Sequence, residues 1–123
     1  MAGTILTVVE DLLFLSKIQQ TAQLIGVIAK PADPTQGLEK ISEEAPRAII
    51  LDLNHRSLPV LDVIRTLKAH PGTKTIPIVG FASHVQSDLI AAAREAGCDL
   101  VLARSAFTQK LPKLLKDFMG HAS

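Results

Sequence analysis

Three acidic side chains carry the clearest chemical potential in this sequence. Glu10-Asp11 follows the apolar run Ile5-Leu6-Thr7-Val8-Val9, and Asp52 closes the run Ala48-Ile49-Ile50-Leu51. Carboxylates brought together at the ends of neighbouring strands repel one another. A hard divalent cation relieves that repulsion. Mg2+ takes one or two carboxylates and completes its shell with waters and phosphate oxygens. A carboxylate beside such an ion can also attack a phosphoryl group and form an aspartyl-phosphate. Each acid has a plainer use as well. Asp11 can cap a helix, and Asp52 can accept from the N–H groups of the loop that follows it.

What must position these acids is an alternation of strands and helices. Ile5–Val9 reads as a buried parallel strand, continuous in apolar residues. Asp11 then caps a helix with Leu15, Ile18, Ala22 and Ile25 on one stripe and Gly26 as its stop. Val27–Ala29 is a short second strand, broken by Pro31 and Pro34. A second helix is expected over Thr35–Glu44, with Leu38, Ile41 and Ala45 inward, ended before Pro46. Ala48–Asp52 is the third strand. Ser57 and Pro59 open a third helix carrying Leu61, Ile64 and Leu67. Ile76–Phe81 is the fourth strand, and Ser87 caps a helix from Asp88 to Ala96, stopped by Gly97. Leu100–Ala103 is the fifth strand. A last helix is expected from about Thr108 to Met119, so that Pro112 falls near its start.

Five such units in 123 residues imply an α/β fold. Specifically, they imply a doubly wound, five-stranded parallel sheet of order 2-1-3-4-5 with helices on both faces, a flavodoxin-like sandwich in one domain spanning 1–123. Ligands of such sheets sit at the carboxyl ends of the strands, at the switch point between the first and third. Those are the two strand ends that carry the acids.

Composition narrows the function further. The chain is 47% hydrophobic and 20% charged with a formal net charge of +1, the profile of a soluble globular protein. Near-neutrality argues against a nucleic-acid partner, and so does the lack of Trp and Tyr beside only four Phe (14, 81, 107 and 118). The charge is uneven: residues 1–62 hold five basic and eight acidic side chains, residues 63–123 eight and four. Lys110, Lys113 and Lys116 fall at helical spacing and read first as solvated lysines. Cys98 is the single cysteine, which excludes an internal disulfide and a multi-thiolate zinc site, and it reads as a small buried thiol. No apolar run approaches the ~18 residues of a membrane span. The N-terminus lacks the basic stretch of a signal peptide, so no membrane is expected and a cytoplasmic location is the default. The seven glycines are too scattered for a Gly-x-Gly fingerprint or a phosphate-binding loop, which disfavours a nucleotide or flavin enzyme. His55 and His84 are expected on the rim of the acid site, in contact with solvent or a partner, while His70 and His121 carry no signal.

These residues resemble the receiver domain of bacterial response regulators, from Thr4 to about Met119. Thr7-Val8-Val9-Glu10-Asp11 resembles the family's first strand with its acidic pair. Ile49-Ile50-Leu51-Asp52-Leu53-Asn54 resembles the strand ending in the phosphoacceptor. Pro77-Ile78-Val79-Gly80-Phe81-Ala82 resembles the fourth strand, and Ala96-Gly97-Cys98-Asp99 with Val101-Leu102-Ala103-Arg104 resembles the turn and strand that lead to a Lys-Pro pair. The resemblance implies Asp52 as phosphoacceptor. It implies Glu10, Asp11, Asp52 and the main-chain carbonyl of Asn54 as ligands of Mg2+. It also implies a sensor histidine kinase or another signalling protein as partner, with a homodimer as a further option. No enzymatic activity is implied beyond self-catalysed phosphoryl transfer to and from Asp52.

Several positions depart from that pattern. The family's hydroxyl residue at the end of the fourth strand falls on Ala82. Ser83 is next, but strand alternation points it to the other face unless the backbone has already turned. The family's Lys falls on Arg104, its Pro on Ser105, and its aromatic switch residue on Val101. The usual residues after the phosphoacceptor are replaced across His55, Arg56 and Ser57. Two readings therefore stand side by side: a stand-alone phosphorelay receiver with an atypical switch, and a phosphorylation-independent pseudo-receiver serving as an interaction module. With no output domain expected after the last helix, the partner face would include Arg94, Val101, Arg104 and Lys110.

Overall fold

The computed structural model describes residues 3–33, 37–83 and 86–120. The expectations placed on Pro34, Thr35, His84 and His121, and on the side chain of Leu38, fall outside what is described.

The chain alternates β1 (Thr4–Val8), α1 (Leu12–Ile25), β2 (Ile28–Pro31), α2 (Leu38–Glu44), β3 (Ala48–Asp52), α3 (Val60–Ala69), β4 (Ile78–Ala82), α4 (Ser87–Ala96), β5 (Leu100–Ala103) and α5 (Arg104–Phe118). All strands pair in parallel, in the order β2-β1-β3-β4-β5. β3 and β4 are buried along their whole length, as central strands covered on both faces must be. Their side chains alternate between two cores. One packs Leu6, Ile49, Leu51, Ile78 and Val101 against Ile41, Ile64, Leu67 and Ala93 of α2, α3 and α4. The other packs Ile5, Ile50, Val79 and Phe81 against Ile18 and Ala22 of α1 and Phe107, Leu111 and Leu115 of α5.

The ends of the elements follow local chemistry. Asp11 Oδ1 accepts from the N–H groups of Leu13 and Phe14, at 3.0 and 3.1 Å, and so caps α1. Gly26 (φ 88°) and Gly97 (φ 114°) end α1 and α4 in the left-handed region, where glycine carries no Cβ penalty. Asp99, just after Gly97, ties the base of the sheet together. Its Oδ2 accepts from the Ile78 N–H and the Lys68 ammonium, both at 2.7 Å. Cys98 between them is buried, and that burial pushes its thiol up to about 11.

Five local expectations are corrected. β2 runs through Pro31, which lies on the edge of the sheet where its missing N–H costs no ladder bond. Ala45 is exposed and caps α2 with φ 46°, instead of facing inward. α3 opens on Pro59, its N-cap, and not on Ser57, and no side chain caps it. Ser87 is the first residue of α4, whose N-cap is Gln86. α5 begins at Arg104 directly after β5, which places Pro112 well inside the helix. Pro112 is on the exposed side, so the Thr108 carbonyl that loses an N–H can face water while Phe107, Leu111 and Leu115 stay buried.

Candidate functional site

The carboxyl ends of β1, β3, β4 and β5 surround an open cleft of about 430 Å3, lined by Glu10, Asp11, Asp52, Asn54, Arg56, Ser83 and Arg104. The parallel order brings these ends together: β1 pairs with β3, Asp52 lies beside Phe81 of β4, and Ala82 lies beside Ala103 of β5. The three acids singled out from the sequence thus share one cleft.

Each carboxylate is already engaged. Glu10 is exposed and accepts from the Arg56 N–H at 3.0 Å and the Ser57 hydroxyl at 3.2 Å. Chiefly the Arg56 N–H, helped by Ser57 and by the charges of His55 and Arg56, holds its carboxyl below the usual glutamate value. Asp11 caps α1 with Oδ1 and meets Arg104 Nη1 at 3.5 Å with Oδ2. Asp52 is 3% exposed, and its Oδ1 accepts from the Asn54 N–H at 2.9 Å. The plain structural uses foreseen for Asp11 and Asp52 are therefore both present, inside the cleft.

On the other side of the cleft, three side chains tie two loops together. The Asn54 amide oxygen accepts from the Ser83 N–H at 2.6 Å, and its nitrogen donates to Gln86 Oε1 at 2.8 Å. Gln86 Oε1 also accepts from the Ser83 hydroxyl at 3.3 Å. Ser83 lies just past the end of β4, where alternation no longer governs it, and it lines the cleft. Ala82 is fully buried in the aliphatic core. Gln86 was invisible to sequence reasoning, because nothing in its spacing links it to Asn54.

Arg104 stands on aromatic rings. Its guanidinium carbon lies 4.7 Å from the Phe14 centroid and 5.7 Å from that of Phe81, and its Nε is buried without a hydrogen-bond partner among the described residues. Phe14, Phe81 and Phe107 form a cluster with centroids 4.6 to 5.8 Å apart. Of the expected partner face, Arg94 and Lys110 are exposed and Arg104 is partly so. Val101 is 4% exposed and packs inward, so it presents no side chain to a partner. His55 lines a neighbouring cleft with Ser57, Leu58 and Pro31, and its Nδ1 accepts from the Ser57 N–H at 3.2 Å.

A divalent ion was the expected tenant. The donor chemistry suits a hard cation, with three carboxylates around one cleft and Asn54 beside them. No group of three or more His, Cys, Asp or Glu side chains among the described residues is already arranged to hold one.

No family model matches the sequence, and no curated protein matches it. The structure, in contrast, is similar to many solved receiver domains. A chain described as a response regulator from Chloroflexus aurantiacus superposes with a TM-score of 0.84 at 23% identity, covering 98% of this chain and 100% of the other. The phosphorylated cyanobacterial phytochrome response regulator RcpA gives 0.82 at 18% identity, covering 100% and 98%. The receiver domain of the Pseudomonas aeruginosa sensor histidine kinase PA1611, with magnesium coordinated in its active-site cleft, gives 0.82 at 18%, covering 98% and 99%. The fold is therefore that of response-regulator receiver domains, with the strand order expected from the sequence. No helix among the described residues is long and apolar enough to cross a membrane.

Proposed function

We propose that this chain acts as a receiver in a phosphorelay, with Asp52 as the phosphoacceptor. The observation that carries the reading is the position of Asp52 at the carboxyl end of β3, in one cleft with Glu10, Asp11, Ser83 and Arg104. In the transfer, an Asp52 carboxylate oxygen attacks phosphorus, an O–P bond forms, and the N–P bond of a phosphohistidine breaks as its imidazole leaves. Later attack of water on phosphorus releases inorganic phosphate and restores the carboxylate. A divalent ion held by Glu10, Asp11, Asp52 and the Asn54 carbonyl would supply charge neutralisation at the phosphoryl oxygens. Arg104 contributes a positive charge beside Asp11, and the Ser83 hydroxyl lines the same cleft and would donate to a phosphoryl oxygen after leaving Gln86. The donor would be a sensor histidine kinase or another signalling protein in the cytoplasm. The exposed Arg94 and Lys110 with Arg104 give a basic face for a partner or a second copy. Turnover would be limited to phosphoryl transfer to and from Asp52.

A second reading, the pseudo-receiver, is favoured by the aliphatic packing of Ala82 and Val101, positions that offer neither a hydroxyl nor an aromatic ring to relay a change. One measurement separates the two. The protein is incubated with a small acyl phosphate and Mg2+, and its intact mass is recorded beside that of Asp52→Asn. An added phosphoryl group that the variant lacks supports the phosphoacceptor. No adduct in either protein leaves the interaction module standing.

A further inference from the structure

The acids of the cleft already have a cation. Arg104 Nη1 meets Asp11 Oδ2 at 3.5 Å, and Asp11 Oδ1 is committed to the start of α1. The arginine is held from below as well. Its guanidinium rests over Phe14 and near Phe81, and the flat faces of those rings attract a cation electrostatically. Its backbone is fixed, because α5 starts at Arg104 without an intervening loop. A lysine in this place would offer a point charge on a flexible stem, whereas the planar guanidinium both stacks on a ring and bonds a carboxylate.

We propose that Arg104 is the resident cation of the cleft, and that a divalent ion binds only by displacing it from Asp11. This rests on the cleft being a phosphoryl-and-metal site, as argued above. It adds that metal affinity is set by an internal competitor, so the Arg at this position weakens divalent binding and does not merely accompany it. The opposing charge acts at short range in a partly buried place, where solvent screens it only incompletely.

The test uses the full chain and Mn2+, followed by its electron paramagnetic resonance signal, with Mg2+ checked by calorimetry. Arg104→Met keeps a polarisable side chain on the rings and removes the charge. Its Mn2+ affinity should rise by about tenfold or more over the wild type. Arg104→Lys, which keeps the charge, should stay much nearer the wild type. Adding Asp11→Asn to Arg104→Met should abolish the gain. Thermal unfolding by circular dichroism verifies that the variants are folded. Equal affinity in folded wild type and Arg104→Met overturns the proposal, as does a gain that survives Asp11→Asn. A gain shared equally by Arg104→Lys also overturns it, because packing and not charge would then be responsible. The mass measurement on Asp52 is independent: a missing phosphoryl adduct with the Mn2+ pattern intact defeats the phosphoacceptor and leaves the competition standing.

Discussion

The two faces of the sheet are built from different materials. The face covered by α1 and α5 holds Phe14, Phe81 and Phe107 in mutual contact, with the Arg104 guanidinium on top. The face covered by α2, α3 and α4 is aliphatic, from Leu6 and Leu51 to Ala82 and Val101, and is pinned at its base by Lys68 and Asp99. A chain with four Phe and no Trp or Tyr has placed all four on one side, three of them in mutual contact. The ring contacts of the cleft therefore run toward α1 and α5. On the opposite side, the positions where a receiver would carry a hydroxyl and an aromatic are small and smooth.

That contrast can be broken by mutation. Phe81→Ala removes a fully buried ring that contacts both Phe14 and Phe107, and should destabilise the fold by about 3–5 kcal/mol in urea titration. Combined with Phe107→Ala it should fall short of additivity, because the rings touch. A Phe81→Ala cost well under that of Leu67→Ala, about 2–5 kcal/mol, would mean the aromatic face is no stiffer than the aliphatic one. Asp99→Ala strips the Ile78 N–H and Lys68 of their shared acceptor and should cost about 1–3 kcal/mol, read the same way. It should leave the Mn2+ titration, which reads the far end of the sheet, unchanged. Gln86→Ala frees Asn54 and the Ser83 hydroxyl from their common partner. The expected result is faster amide exchange around Ser83 and the first turn of α4, with a change in global stability below about 1 kcal/mol. Unaltered exchange there would mean the bonds to Gln86 do not hold the two loops.

The smallest effect concerns Glu10. Its folded-state value lies below the usual one, chiefly because its carboxylate accepts from the Arg56 N–H. The associated stability is present above the unfolded value and is lost as pH falls through the folded one. Glu10→Gln should therefore lower stability slightly at neutral pH and flatten the acid limb of a stability-versus-pH curve, the two proteins converging below the folded value. An unchanged acid limb would show that the contact to Arg56 is too exposed to matter.

Much of this architecture was legible because buried parallel strands leave a simple trace. β3 and β5 match their apolar runs residue for residue, and the glycines that stop α1 and α4 are needed for their positive φ. The acids were legible for a related reason: parallel order dictates which strand ends meet. What escaped was set by tertiary context. Pro112 suggested a late start for α5, yet three buried side chains, Phe107, Leu111 and Leu115, hold the helix through the proline. Alternation argued against Ser83, but β4 stops at Ala82 and the next residue is free of that rule. Gln86 and the seat of Arg104 on Phe14 depend on contacts across many residues, which no local pattern records.

The seat of Arg104 also makes the cleft observable. With no Trp or Tyr, the protein has little intrinsic fluorescence to follow. Every other arginine in the described residues is exposed, whereas Arg104 has its Nε buried near two aromatic faces. Ring currents from Phe14 and Phe81 will move its Nε–H resonance away from those of the exposed arginines. A single displaced cross-peak in a nitrogen-correlated spectrum then serves as a built-in magnetic label for the cleft. It will shift whenever a metal, a phosphoryl group or a partner moves the guanidinium from its rings.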